Sequence, residues 1–101
     1  MKAKKYQTKL DASMAEGIYE IIDTLLHTTV TTDDDKLVFC ALAEIHEKLA
    51  SKIHKKEGTI SFTPAQAFAL RILSIDYVSN TTSYTGNKLH QISNEVHHFY
   101  Q

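Results

Sequence analysis

Thr63-Pro64-Ala65-Gln66 is the sharpest local signal in the chain, and the stretch after it constrains the fold most. Thr63 is a preferred N-cap, Pro64 suits the first helical position, and Gln66 completes a capping box, so a helix starts at Pro64. From there to Val78, Phe68, Ile72 and Ile75 make one apolar stripe with Ala65 and Ala69 beside it. Leu70, Leu73 and Tyr77 make a second. A helix apolar over more than half its circumference is either central to the fold or shared with a partner subunit.

Three further segments repeat apolar residues at helical spacing. The first spans about 11–28: Asp11 is the N-cap, and Leu10, Met14, Ile18, Ile21, Ile22 and Leu25 fall within an arc of about 120°. The five β-branched residues from Thr28 to Thr32 then disfavour helix. The second spans about 33–57, with Val38, Leu42, Ile45, Leu49 and Ile53 on one face and Gly58 positioned to end it. Asp33, Asp34 and Asp35 at its start and Lys52, His54, Lys55 and Lys56 at its end both suit the helix dipole. The last spans about 82–100, where Leu89, Ile92, Val96 and Phe99 share a face and Gly86 weakens the first turn. Residues 59–62 alternate and read as a short extended segment, which cannot form a sheet alone but pairs if two copies meet across a dimer axis. Residues 1–9 read as flexible. No internal repeat is visible. The expectation is a single all-α domain over 1–101, an antiparallel four-helix bundle with one short extended piece.

Composition narrows the function classes without choosing one. The formal net charge is −1, so no global field draws the chain to nucleic acid or an anionic membrane. A single cysteine, Cys40, excludes an internal disulfide framework and a multi-cysteine zinc site. The basic start is not followed by the apolar run of a signal peptide, and no stretch of 18 apolar residues exists to span a membrane. A cytoplasmic protein is the expectation, which leaves the Asn80-Thr81-Thr82 triplet as a chance glycosylation match.

Six histidines raise the question of a metal, but their spacing opposes one. His46 and His54 are eight apart, and His90 and His97 stand two turns apart on a shared face, too far for one ion to bridge. No metal and no cofactor is expected. The three aspartates lack the pattern of a calcium loop. Cys40 has no cationic neighbour to activate it, and no phosphate loop, nucleophile elbow or zinc-protease motif occurs.

Lysines cluster at Lys2, Lys4, Lys5 and Lys9 and again at Lys52, Lys55 and Lys56, and either cluster suits phosphates. Ten of the eleven basic residues are lysine, which fits solvated surfaces better than base-reading forks. A connection of about six residues before Pro64 is too long for a helix-turn-helix. Arg71, the one arginine, reads as an anion anchor or as the ion-pair partner of an acid such as Glu44. The surplus of apolar surface points to contact with another protein, with a homodimer as the leading expectation. The face expected to carry it is Phe62, Phe68, Leu70, Leu73 and Tyr77. A non-catalytic helical interaction or regulatory domain is the first reading. Nucleic-acid or polyanion binding through Lys52, Lys55 and Lys56 with the first cluster is the second, and a small-ligand or metal site around Arg71 or the histidines is the third.

Overall fold

Asp11 closes one element and opens the next. Its backbone is extended, and its carboxylate accepts the Met14 amide at 2.8 Å, so the chain passes there from strand to helix. The computed structural model describes residues 4–52, 57–78 and 83–101. Among these, the order is β1 (Tyr6–Asp11), α1 (Ala12–Leu26), α2 (Asp33–Ala50), β2 (Glu57–Phe62), α3 (Pro64–Ile72) and α4 (Tyr84–Phe99). A π-helical turn, Leu73–Tyr77, prolongs α3. The chain is mostly helical, as expected, but it is not all-α.

The two strands form an antiparallel ribbon running from Tyr6↔Phe62 to Asp11↔Glu57. Residues 6–9, expected to be flexible, are therefore strand: from Tyr6 the chain alternates, with Tyr6, Thr8 and Leu10 buried and Gln7 and Lys9 exposed, while residues 1–3 lie outside the described residues. Leu10 belongs to this strand, not to the stripe of α1. The partner of the 59–62 segment comes from the same chain, so the pairing of two copies is not what completes the sheet. Helix 2 stops short of 57 and of Gly58. It ends at Ala50, with Ser51 as C-cap, and Glu57 and Gly58 lie in β2. Residues 53–56, and with them Ile53 and His54, lie outside the described residues.

The helix starts read from the sequence hold closely. Thr63 Oγ1 accepts the Gln66 amide at 3.2 Å while Gln66 Oε1 accepts the Thr63 amide at 3.1 Å, the reciprocal capping box. Thr32 caps α2 just before the three aspartates. Ser83 caps α4 through the Gly86 amide, and the expected start at Thr82 lies outside the described residues. The π-helical turn keeps two adjacent residues, Leu73 and Ser74, buried together. Four helices pack in a closed ring, α1 on α2, α2 on α3, α3 on α4 and α4 on α1. Ile18, Ile22, Leu42, Ile45, Leu49, Leu70, Leu89, Ile92 and Val96 fill its centre, and Tyr6, Leu10, Ile60 and Phe62 seal one side from the ribbon.

This element order is β-α-α twice over, an internal repeat that residue identities conceal. Asp11 and Thr63, which cap the first helix of each half, are 52 positions apart. Thr8 and Ile60 are also 52 apart, and they face each other in the ribbon. Each strand thus meets its own counterpart in reverse, and the ribbon register is symmetric about the Thr8↔Ile60 pair. The caps of the second helices, Thr32 and Ser83, are 51 apart. At that offset Val38, Ala41 and Ile45 answer to Leu89, Ile92 and Val96, and all of them lie in or against the core. Contacts α2–α3 and α1–α4 cross between the halves. The repeat survives in spacing and burial alone: Ile18, Tyr19 and Ile22 of α1 answer to Leu70, Arg71 and Ser74 of α3.

Candidate functional site

The ribbon has one face in the core and one in solvent. The outward face carries Gln7 and Lys9 from the first strand, with Lys5 just before it, and Thr59 and Ser61 from the second, with Gln7 opposite Ser61 and Lys9 opposite Thr59. All but the half-buried Ser61 are exposed. Six residue pairs make a strip roughly 20 Å long. Asp11, the acid at its end, is turned to other work, accepting from the Met14 amide and from the Tyr84 hydroxyl at 2.9 Å. Those two bonds, the Met14 amide first, hold its carboxyl below the usual range.

One lysine cluster lies at this strip, Lys4 and Lys5 just before β1 and Lys9 within it, while Lys48 of α2 and Lys52, just beyond the Ser51 C-cap, approach β2 from the side of its inward residues. Lys48 Nζ donates to Ser61 O at 2.6 Å and Gln66 Oε1 at 3.1 Å and lies 5.6 Å from the centre of the Phe62 ring. Burial pulls its pKa down, and the charge on Lys5 adds to that. Lys52 lines a small cleft with Leu10, Gly58 and Ile60. Lys2, Lys55 and Lys56 lie outside the described residues. Gln7, Thr59 and Ser61 are the residues that sequence reasoning missed; the alternation from Tyr6 to Leu10 was the signal that marks them as outward.

The other candidates are dispersed. Phe62, Leu70 and Leu73 are at most 1% exposed, so three of the five residues of the expected contact face are core. Their burial follows from the central place of α3, which packs on α2 and α4, and from the inward direction of Phe62 in β2. Phe68 and Tyr77 stay exposed but face different neighbours, Tyr100 at 5.2 Å and Phe39 at 6.5 Å between ring centres. Arg71 does not pair with Glu44. Its Nη1 donates to Ser93 O and Oγ, at 2.9 and 3.2 Å, while Glu44 accepts from Gln66. This bond ties α3 to α4 and occupies the proposed anion anchor.

Histidines take structural posts. His90 Nδ1 is hydrogen-bonded to Ser74 Oγ at 2.7 Å, with the serine fully buried and the histidine half-buried. His46 stacks on Tyr19 at 4.0 Å and bonds Asp23 at 3.1 Å, joining α1 to α2. No three potential metal ligands come together among the described residues. Cys40 is exposed and unpaired.

Two further concavities lie among the described residues. Ile21, Thr24, Leu25, Thr28, Leu73 and Tyr77 line a groove of about 300 Å³ at the end of α1 away from the ribbon. A wider hollow of about 560 Å³ lies beside Tyr6, Glu95 and Phe99. There the Tyr6 hydroxyl donates to Glu95 Oε1, and Gln91 donates to Oε2 at 2.9 Å. Both bonds, the tyrosine's first, keep the Glu95 carboxyl below its usual range, whereas burial and then Glu95 push the Tyr6 phenol up. No helix among the described residues is long and apolar enough to cross a membrane. No protein-family model, curated protein or solved structure matches the chain, so the ribbon and its lysines are the ground on which a function is argued.

Proposed function

We propose that this protein is a non-catalytic double-stranded DNA-binding domain that lays the outward face of the β1–β2 ribbon into the major groove. The observation that supports the reading is the exposed outward face of a two-stranded ribbon on which Lys5, Gln7 and Lys9 stand in line. A major groove about 12 Å wide and 8.5 Å deep admits such a ribbon. The exposed Lys4, Lys5 and Lys9 would meet phosphates, and the Gln7 amide and the Thr59 and Ser61 hydroxyls base edges. Ribbon readers need no helix-turn-helix, so the long connection before Pro64 does not count against them. A net charge of −1 is compatible as well, because the attraction comes from a local strip rather than from the whole field.

The test is fluorescence anisotropy of a labelled duplex titrated with the full chain at several salt concentrations. Binding should weaken with salt with a log–log slope of about −3, as expected for three or four neutralised phosphates. The Lys5→Glu/Lys9→Glu double variant should lose it. Salt-independent binding, or full binding by that variant, overturns the reading.

A second reading, contact with another protein or with a second copy, is favoured by the exposure of Leu37, Ile75 and Tyr77. It predicts a dimer mass in solution that Ile75→Glu reduces to a monomer. A monomer mass for the unmodified chain removes the self-association form of it.

A further inference from the structure

The ribbon's backbone is symmetric and its chemistry is not. About the Thr8↔Ile60 pair, the outward Gln7 and Lys9 of β1 have counterparts on β2 at the 52-residue offset: Gln7 answers to Thr59 and Lys9 to Ser61. One strand brings a long amide and a cation, with Lys5 just before it. The other brings two short hydroxyl residues. A twofold ribbon made from two identical chains presents the same side chains in both directions, and its target is correspondingly palindromic. Here both halves are one covalent chain, so nothing holds them to the same residues.

We infer that the DNA target is a non-palindromic site bound by a single copy of this chain, with β1 as the reading strand and β2 as the supporting one. The inference rests on the DNA-binding reading above. Gln7 is the residue placed to select a base, since a carboxamide pairs bidentately with adenine N6 and N7. Lys5 and Lys9 flank it at i−2 and i+2 on the same face, suited to phosphates on either side. Thr59 and Ser61 are too short for a bidentate grip and suit single contacts, which tolerate more than one base. Specificity should therefore be concentrated in one half of the site, under β1.

The experiment is a binding selection from a pool of randomised duplexes with the full chain. Sequencing of the bound fraction is followed by anisotropy and stoichiometry on the winning duplex. An asymmetric motif bound at one chain per duplex supports the inference. So does a loss of about tenfold or more with Gln7→Ala on that duplex, against a smaller loss with Thr59→Ala. A palindromic motif, or two chains per duplex, overturns the inference and leaves DNA binding standing. Binding that is salt-dependent and lost in the Lys5→Glu/Lys9→Glu variant, but without any enriched motif, does the same. No binding to any duplex overturns the inference and the DNA reading together. All three substituted positions on β1 and Thr59 are exposed, so circular dichroism of each variant should match the parent.

Discussion

Gly17 lies where α1 passes closest to α4. A methyl group built there would sit 2.1 Å from Thr85 Oγ1 and 3.0 Å from its Cβ, and Thr85 is fixed in the first turn of a capped helix. Gly17→Ala should therefore destabilise the protein by about 1–3 kcal/mol despite the better helix propensity of alanine. Urea unfolding measures this, and Thr85→Ala in the same chain should recover part of the loss. The Tyr6–Glu95 bond gives a pH signature. Glu95 ionises more readily folded than unfolded, so its contribution is present above the ordinary carboxylate pKa of about 4.5 and is lost as pH falls below that. Tyr6 behaves oppositely: its phenol is held protonated, so stability is present below pH 10 and is lost as pH rises past that value. Tyr6→Phe should cost about 1 kcal/mol at pH 7 and flatten both limbs of the stability–pH curve. An unchanged curve would mean that the bond carries no weight.

Helix starts were legible because each is written in a single short-range code. Asp11 before an apolar stripe, and Thr63-Pro64-Ala65-Gln66 before another, satisfy orphan amides locally and need no knowledge of the rest of the chain. Thr63→Ala should remove the capping box and cost about 1 kcal/mol in thermal or urea unfolding. The strands were harder. Residues 59–62 show their alternation plainly, but β1 is embedded in a lysine-rich stretch, and its apolar face is only Tyr6, Thr8 and Leu10. Such a strand is set by its partner 46 to 56 positions away, and no local pattern encodes that. The apolar surplus of α3 was misassigned because Leu70 and Leu73 are covered by the other helices, and Phe62 faces the core from β2. The first lysine cluster was seen, but its place on the outward face of a ribbon was not, because that depends on the same pairing. The end of α2 was misread for a related reason. Lys52 and the lysines after it suit a helix terminus, and they equally suit an approach to a strand.

At the scale of the molecule, the two β-α-α halves depend on each other. The ribbon takes one strand from each half, and α2–α3 and α1–α4 are contacts between halves. A half alone would leave a lone strand and two helices with bare apolar faces, below what a small core needs. Residues 1–52 and 53–101 made separately should each show little helix by circular dichroism, and mixing them should restore it with one-to-one stoichiometry. A half that folds alone would show that the repeat is two domains rather than one. Joining the halves has a consequence for dosage. When two separate chains must meet before a site can be occupied, occupancy at low concentration climbs with the square of the amount of protein. With both strands of the ribbon on one polypeptide it climbs in simple proportion, and the response to protein level stays graded down to the most dilute conditions.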